Sequence, residues 1–356
     1  MKRVLIAPLN WGLGHATRCV PLIEAFLKRN VEIILAGEGL VFDFLRHRYP
    51  FLPIINLPGQ RITYQIRGSL ILALAKSFPG FLRNIELEHH IIKDLIEKYR
   101  LGAIISDNRY GLWDENIPSF MITHQINVRG KGLWRIGEPF AHAGIRRFLN
   151  HFHEIWIPDF PQFPGLAGDL SHDKSPRLKY RYLGPLSRFE HAAPIYEHPQ
   201  NDIMAIISGP EPQRTIFENI LTRTFEGTNL KTIILRGLPS HQESIVKINR
   251  ITLYSHLQDD DFIEVLKNSR HLVCRSGYSS LMDLTQLERT ALLVPTPGQP
   301  EQEYLARLSS HSGYFTTIPQ NQFHLDNFPD MPSLPCFHTI NREYLDKACE
   351  MVIGLL

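Results

Sequence analysis

Cysteine is scarce in this chain of 356 residues, and the cysteines that it has are scattered. Cys19, Cys274, Cys336 and Cys349 form no C-x-x-C pair. This spacing is typical of reduced, structural cysteines, and it predicts a cytoplasmic protein.

Long apolar runs and an excess of charge of one sign are also missing. No stretch approaches the ~20 apolar residues that a membrane-spanning helix needs. The apolar start Val4–Ala7 is broken by Pro8 and Gly12, too early for the core of a signal peptide. Lys and Arg number 38 against 36 for Asp and Glu, so the net charge of +2 does not indicate a nucleic-acid binder.

The chain does contain a repeated alternation of strands and helices. Val4–Ala7 and Val31–Ala36 are predicted strands on either side of a helix over Ala16–Arg29, which is the βαβ opening of a parallel sheet. The same order restarts at Ile203–Ile207. A chain of this length is long for a single core. We therefore expect two α/β domains, over residues 1–185 and 201–340, with a linker over 186–200 and a C-terminal helix over 341–356.

A glycine-rich turn, Asn10–His15, follows the first predicted strand. It is not a dinucleotide-binding fingerprint, because Gly12 and Gly14 lack a third glycine in register and no acid ends the second strand. Ligands bind at this end of the strands in such sheets. A histidine there can remove a proton from a hydroxyl near neutral pH without a metal. His15 is therefore a candidate general base; the alternative is a helix-starting histidine with local hydrogen bonds.

The stretch from Cys274 to Asp283 predicts an anion site. A strand, His271–Cys274, is broken at Arg275–Gly277 and followed by a helix. Unpaired backbone N–H groups in a first helical turn attract phosphate, which Gly277 allows to approach closely. Asp283 lies about one turn further on, where a carboxylate suits a ribose diol. The alternative is an ordinary strand-to-helix connection.

A second polar stretch follows the next predicted strand, Ala291–Val294. The loop Pro295–Gly298 leads into a helix that begins with Gln299-Pro-Glu-Gln-Glu-Tyr304. Amide and carboxylate side chains at this position suit a ligand with many hydroxyl groups. The whole run Cys274–Tyr304 resembles the donor-sugar region of inverting GT-B glycosyltransferases, and of glycosyltransferase family 28 in particular. That family has C-R-S-G, an acid six positions on, and a proline-led loop with paired glutamines. Here Asp283 stands for the usual Glu, and Gln302-Glu303 for the glutamine pair.

The resemblance implies the GT-B fold, with two Rossmann-like domains facing across a cleft and a terminal helix that crosses back to the first domain. It implies a UDP-linked sugar donor on the second domain and catalytic groups on the first. His15 becomes the base that accepts the hydroxyl proton, Asp107 is the rival base or a turn-capping residue, and His124 lies in an H-x-Q-N-like stretch of the same cleft. The donor-binding residues implied are Gly14, Asn127, Ser208, Gly209, Arg214, His256, Leu257, Arg275, Ser276, Gly277, Tyr278, Asp283, Gln299, Gln302 and Glu303.

The resemblance implies a particular contact for some of these residues. The loop Ser208–Arg214 would cover the diphosphate, with Arg214 adding positive charge because two prolines remove backbone donors. His256 and Leu257 would contact the base through the backbone. Asp283 would hold the ribose, and Gln302 and Glu303 the sugar hydroxyls.

The expected reaction is an inverting transfer to an acceptor hydroxyl that needs neither a metal ion nor a cofactor. Asp259–Asp261 matches a metal-binding D-x-D, but its place before a predicted helix favours capping and helix-dipole roles. The acceptor stays open as a glycan, a lipid-linked molecule or a small molecule. Ser69–Ala75 is either a patch that contacts the inner face of the membrane or a core or interdomain helix. Two other functions stay open: a nucleotide-sugar epimerase and a non-catalytic nucleotide-sugar binder.

Overall fold

The chain forms two compact units, Met1–Arg188 with Ile340–Leu356, and Phe189–Thr339. The computed structural model describes residues 2–58, 70–127, 138–172, 178–189, 191, 193–209, 211–238, 244–313, 315–327 and 342–356, with the backbone alone described over 70–78 and 138–141.

The first unit is built on a parallel seven-stranded sheet with the order β3-β2-β1-β4-β5-β6-β7. β1 and β4 are buried along nearly their whole length, as expected for a parallel sheet covered by helices on both faces. The strands are β1 Arg3–Pro8, β2 Ile33–Gly37, β3 Ile54–Asn56, β4 Leu101–Asp107, β5 Ser119–Ile122, β6 Glu154–Ile157 and β7 Tyr180–Tyr182. The helices between them are α1 Leu13–Leu27, α2 Gly39–Arg48, α3 Leu70–Tyr99 and α4 Glu138–Leu149.

The second unit repeats this architecture, with the strand order β10-β11-β9-β8-β12-β13-β14. Its strand pairs are parallel except for the edge pair β10–β11. The strands are β8 Asn201–Ile206, β9 Thr232–Leu235, β10 Ile245–Ile248, β11 Ile251–Tyr254, β12 Ser269–Cys274, β13 Leu292–Leu293 and β14 Thr316–Thr317. The helices are α5 Gln213–Phe225, α6 Asp259–Lys267, α7 Tyr278–Gln286 and α8 Pro300–His311.

Each sheet reverses its strand order at one place. In the first unit the chain runs from β1 to β2 and β3 on one side, and β4 lies on the other side of β1. In the second unit β8 and β12 are neighbours in the same relation. Because ligands of open parallel sheets bind beyond the carboxyl ends of the strands at such a reversal, the loops after β1 and β4, and after β8 and β12, are the places for a site.

Two segments near the predicted domain boundaries each pack on one of the two units. The C-terminal helix α9, Glu343–Leu355, packs on α1 and β4 of the first unit, and Arg29 lies 2.7 Å from Asp346 across that contact. Within the predicted linker, Phe189 stacks on Phe262 of the second unit at 5.3 Å between ring centroids. The apolar stretch Ser69–Ala75 lies outside the residues whose side chains are described. Among the described residues, no helix is long and apolar enough to cross a membrane.

A buried ion pair fixes the loop after β4. Arg109 Nε lies 3.0 Å from Glu88 Oε1 on α3, and both side chains are fully buried. Burial raises the pKa of Glu88, while the Arg109 charge and the Gly111 N–H bond to Glu88 Oε2 (3.1 Å) oppose that rise. Removing one partner of such a pair costs about 3–5 kcal/mol, so the position of this loop is tightly specified.

Gly111 has no room for a side chain in this loop. A Cβ atom there would meet the Ile85 carbonyl oxygen and would come within 2.5 Å of Glu88 Cβ. We expect Gly111→Ala to lower the melting temperature, with a cost of about 1–3 kcal/mol for overpacking. Gly144→Ala on α4, where a Cβ meets nothing within 4 Å, is the matched control and should raise stability by roughly 0.5–1 kcal/mol. Equal melting temperatures for the two variants would contradict the packing argument.

Candidate active site

His15 and Asp107 meet at the strand reversal of the first unit. Asp107 is the last residue of β4, and its carbonyl accepts the Leu9 N–H bond just beyond β1. Gly12, at φ 101°, turns the chain into α1, which places His15 in the first helical turn. His15 Nδ1 lies 3.0 Å from Asp107 Oδ1. The two residues that the sequence presented as rival bases are therefore partners in one contact.

Arg18 completes this contact, and sequence reasoning missed it. Its Nε donates to Asp107 Oδ2 at 2.6 Å, and one of its terminal nitrogens donates to Oδ1. The same nitrogen lies 2.9 Å from His15 Nδ1, and the other lies 3.4 Å from His124 Nδ1. The available signal was position: Arg18 follows His15 by three residues on a helix that is mostly apolar, and a buried Arg needs a partner.

Asp107 stays ionised in this setting. Burial alone would raise its pKa, but the charges of Arg18 and His15 and the hydrogen bonds from both outweigh burial. The pKa of Asp107 consequently lies well below its usual range. With both oxygens bonded and no tendency to take a proton, Asp107 is a poor general base and a good partner for a histidine.

His15 is kept neutral. Burial lowers its pKa below 6.5; Asp107 opposes this, and Arg18 and His124 lower it further. An ionised carboxylate only accepts hydrogen bonds, so a hydrogen bond across the 3.0 Å contact places the proton of neutral His15 on Nδ1. We assign this tautomer; the Arg18 nitrogen 2.9 Å from Nδ1 then donates to Asp107 and makes only a contact with the imidazole. The lone pair then lies on Nε2, to which no group in the described part of the chain is hydrogen-bonded.

The other residues predicted for this unit differ in their contacts. His124 is buried beside Arg18, and its Nε2 lies 3.4 Å from Gln125 Nε2. Asn127 donates from Nδ2 to the carbonyls of Asp169 (3.0 Å) and His172 (3.1 Å), so its amide supports a loop. Gly14 lies in the first turn of α1, where its carbonyl accepts the Thr17 hydroxyl at 3.2 Å.

In the second unit, α7 begins directly beyond β12 at the strand reversal. Gly277 is its N-cap residue and supplies no side-chain cap, and no acid lies in its first turn. The partial positive charge of a helix start without an acid in its first turn suits an anion. Tyr278 is buried in the first turn and Asp283 is half-buried on the same helix.

Arg275 and Ser276 hold the loops of this edge together. Arg275 donates to the carbonyls of Val294 (3.1 Å) and Gln213 (3.2 Å), and its guanidinium lies 3.9 Å from the centre of the Phe217 ring. Burial lowers its pKa to about 10, which leaves it charged at neutral pH. Ser276 Oγ donates to the Gln302 carbonyl at 2.8 Å. Both side chains are therefore better explained as supports of the loops than as contacts to a donor.

Two side chains at the start of α8 accept backbone N–H bonds from the loop before the helix. Gln302 Oε1 accepts the Thr296 N–H bond at 2.9 Å, and Glu303 Oε1 accepts the Gly298 N–H bond at 2.9 Å. The Nε2 group of Gln302 has no hydrogen bond within the described residues, so it remains a donor for a ligand. Gln299 lies half-buried just before the helix.

The loop after β8 carries Ser208, half-buried, and Gly209, exposed with φ 101°. Arg214, at the start of α5, donates to Glu218 Oε2 (3.3 Å), to the Arg236 carbonyl (3.2 Å) and to Glu211. Two carboxylates compensate its charge, so Arg214 is better explained as a support of α5 than as a contact to a diphosphate.

Two further predicted residues lie at the same edge of the second sheet. His256 and Leu257 follow β11, and His256 Nδ1 lies 3.3 Å from Ser255 Oγ. Asp259–Asp261 form the first turn of α6, after Gln258. No group of three or more His, Cys, Asp or Glu residues in the described part of the chain is placed to hold a metal ion.

The structure thus gathers the predicted residues into two sets. His15, Asp107 and His124 form the set of the first unit, with Arg18 at its centre. The residues after β8, β11, β12 and β13 form the set of the second unit, at the carboxyl edge of one sheet. Gly14 and Asn127, predicted to bind the donor, belong to the first unit.

Comparison with known proteins gives distant relatives over most of the chain. No protein-family model matches. An uncharacterized glycosyltransferase of Methanosarcina mazei is 23% identical over 330 residues, which cover 88% of this chain and 85% of the relative. An uncharacterized glycosyltransferase of Methanopyrus kandleri is 21% identical over 332 residues, covering 87% and 88%.

Solved structures resemble the chain over its whole length. The glycotransferase of kitacinnamycin has a TM-score of 0.62 at 13% identity and covers 99% of this chain and 93% of its own. UGT89C1 of Arabidopsis thaliana, complexed with UDP-L-rhamnose, has a TM-score of 0.61 at 13% identity, with 99% and 94% covered. MurG of Acinetobacter baumannii has a TM-score of 0.51 at 14% identity, with 100% and 92% covered.

The electrostatic balance around His15 can be measured. Arg18→Met removes a positive charge beside the imidazole, so we expect the pKa of His15 to rise; Arg18→Lys keeps the charge and should leave the pKa close to that of the unaltered protein. NMR titration of the histidine resonances, with His15→Asn for assignment, gives the value. A pKa that falls, or stays the same, in Arg18→Met contradicts this account.

The lowered pKa of His15 also makes the stability of the folded protein depend on pH. The pKa of His15 in the folded protein lies below its ordinary value of 6.5, so folding disfavours protonation. The stability that this group contributes is complete above pH 6.5 and declines as the pH falls below 6.5. We expect that decline to be smaller in His15→Asn, measured by denaturant unfolding at a series of pH values. Parallel pH profiles for the two proteins would show that His15 is not held neutral.

Both strand reversals carry predicted site residues, and the chain resembles solved glycosyltransferases over 99% of its length. The chain has the GT-B fold, with two Rossmann-like domains.

Proposed function

We propose that this protein is a glycosyltransferase that moves a sugar from a UDP-linked donor to an acceptor hydroxyl, with inversion and without a metal ion. The observation that carries this proposal is the contact between His15 and ionised Asp107, with the Nε2 lone pair of His15 left for a substrate. The names of the distant relatives and the GT-B fold support the reaction class.

Each step has a group to perform it. His15 Nε2 takes the proton of the acceptor hydroxyl while the hydroxyl oxygen forms a bond to the anomeric carbon of the donor sugar. The bond from that carbon to the diphosphate breaks on the opposite face, and the diphosphate keeps the electron pair. Asp107 stabilises the imidazolium ion formed at His15, and Arg18 keeps Asp107 ionised.

The second unit suits the departing nucleotide. The uncapped start of α7 after Gly277 attracts the charge of a diphosphate, and this attraction grows as the bond breaks. Asp283 is assigned to the ribose, while Gln302 Nε2 and Glu303 are assigned to hydroxyls of the donor sugar. The choice of UDP follows the resemblance of Cys274–Tyr304 to family 28 and is supported by the UDP-L-rhamnose complex of the plant neighbour.

The donor assignment is tested by calorimetric titration with UDP, GDP, TDP and ADP in the absence of magnesium. We expect UDP to bind most tightly and Asp283→Ala to weaken UDP by about tenfold or more, as expected for lost hydrogen bonds to a charged group. Asp261→Ala on the first turn of α6 is the matched control and should bind UDP normally. Preference for another nucleotide moves the donor, and the absence of any nucleotide binding refutes the proposal.

The catalytic assignment is tested in the same preparations with UDP-sugars and a panel of acceptors. His15→Ala should lower kcat by about 10²–10⁴-fold, the usual contribution of a general base, while the Kd for UDP stays unchanged. Product analysis with and without acceptor separates transfer from epimerisation of the donor. UDP binding together with turnover that survives the loss of His15 would remove the histidine from the mechanism.

A further inference from the structure

Two side chains at the same sheet edge as His15 have no side-chain hydrogen bond to any described residue. The loop after β1 presents Trp11, which is 44% exposed, three residues beyond the strand end. The loop after β4 begins with Asn108, directly after Asp107. Because β1 and β4 are hydrogen-bonded neighbours with Pro8 opposite Asp107, both residues lie at the same carboxyl edge as His15.

Asn108 is unusual in two respects. Its backbone is in the left-handed region, at φ 56°, which is uncommon for non-glycine residues, although asparagine adopts it more readily than most, and which recurs at functional sites. Its Oδ1 atom is buried and has no hydrogen-bond partner in the part of the chain that the structure describes. Its Nδ2 group is neither hydrogen-bonded to a described residue nor among the buried unpaired atoms, so it keeps contact with solvent.

The neighbouring asparagine at this edge behaves differently. Asn127 donates its amide to two backbone carbonyls, which explains that side chain by its role in the protein. The Asn108 side chain makes no such bond to a described residue, and only its backbone N–H is used, bonded to the Ile122 carbonyl at 3.2 Å. An amide with a free donor and an unsatisfied acceptor is the kind of group that a polar ligand completes.

Trp11 supplies the complementary surface. An indole ring is a flat apolar face of large area that loses little conformational freedom on binding. A pyranose ring has C–H groups across its faces and hydroxyls around its edge. A sugar stacked on Trp11 could therefore bond the Asn108 amide through an edge hydroxyl, whereas an apolar or purely aromatic acceptor would leave that amide unpaired.

We infer that Trp11 and Asn108 form an acceptor subsite for a pyranose ring, so that the hydroxyl activated by His15 belongs to a carbohydrate. Trp11 stacks on one face of the ring, and Asn108 Nδ2 donates to one of its hydroxyls. This inference rests on the proposed function, since it names the acceptor of that reaction.

The test uses the full chain and simple probes in saturation-transfer NMR, with and without UDP. The carbohydrate probes are methyl β-D-glucopyranoside, methyl β-D-galactopyranoside and methyl N-acetyl-β-D-glucosaminide; the comparison probes are 4-methylphenol and 1-hexanol. We expect at least one glycoside to bind. Trp11→Ala should abolish its signal, and Trp11→Phe, which keeps a flat ring, should retain most of it.

Asn108→Gly separates the side chain from the backbone conformation. Glycine adopts a φ near 56° without strain, so this variant removes only the amide. We expect it to weaken glycoside binding by about fivefold, the effect of one neutral hydrogen bond. Asn249→Gly is the matched control, because Asn249 has φ 51° in the exposed turn between β10 and β11.

Three results would overturn the inference: binding of the phenol or the alcohol without any glycoside, glycoside binding unchanged by Trp11→Ala, or an Asn108→Gly effect no larger than that of Asn249→Gly. The last would mean that Asn108 is present for its backbone conformation alone. Failure here is distinct from failure of the proposed function, which is judged by UDP binding and Asp283→Ala. UDP binding without glycoside binding refutes only the acceptor subsite.

Discussion

The buried bond between Arg18 and Asp107 is the constraint on which the first unit's site depends. A carboxylate taken out of water without a cation would bind a proton, and a protonated Asp107 would be a weaker acceptor for the Nδ1 proton of His15. Arg18 prevents this by bonding both oxygens. Two residues on, Arg109 makes the reverse arrangement with Glu88 from α3. The end of β4 is thus held from α1 on one side and from α3 on the other, by buried pairs of opposite polarity.

Much of the fold could be predicted from the sequence, since the spacing of the apolar residues and the length of each apolar run indicate strands and helices. Continuous apolar strands such as Val4–Ala7 and Ala103–Ser106, alternating with amphipathic helices, indicate covered parallel sheets, and the restart at Ile203 indicates a second unit. The comparisons confirm the GT-B fold. His15 and Asp107 were each recognised by position at a strand end. Their contact was not, because it joins residues 92 positions apart, and Arg18 gave no motif at all.

The second unit shows a different limit of sequence reasoning. Arg275, Ser276 and Arg214 have the donors that a diphosphate needs, and a motif places them at the right edge of the sheet. In the structure those donors bind carbonyls and carboxylates of neighbouring loops. A motif records which residue types occur together. The same hydrogen-bonding groups can bind a ligand, or they can stabilise the loop that lies beside the ligand. Geometry is needed to separate the two.

Gln302 has a consequence for any attempt to redesign donor choice. Its carbonyl accepts the Ser276 hydroxyl and its side-chain oxygen accepts the Thr296 N–H bond, so one residue joins the loop after β12 to the loop after β13. Exchanging this side chain to favour another sugar would remove the bond to Thr296 and loosen the second loop, while the backbone bond from Ser276 and the bond from Arg275 to the Val294 carbonyl would remain. Glu303 has the same double role, because its Oε1 accepts the Gly298 N–H bond of that loop, so a change of donor specificity at either position also alters the loop beside the donor.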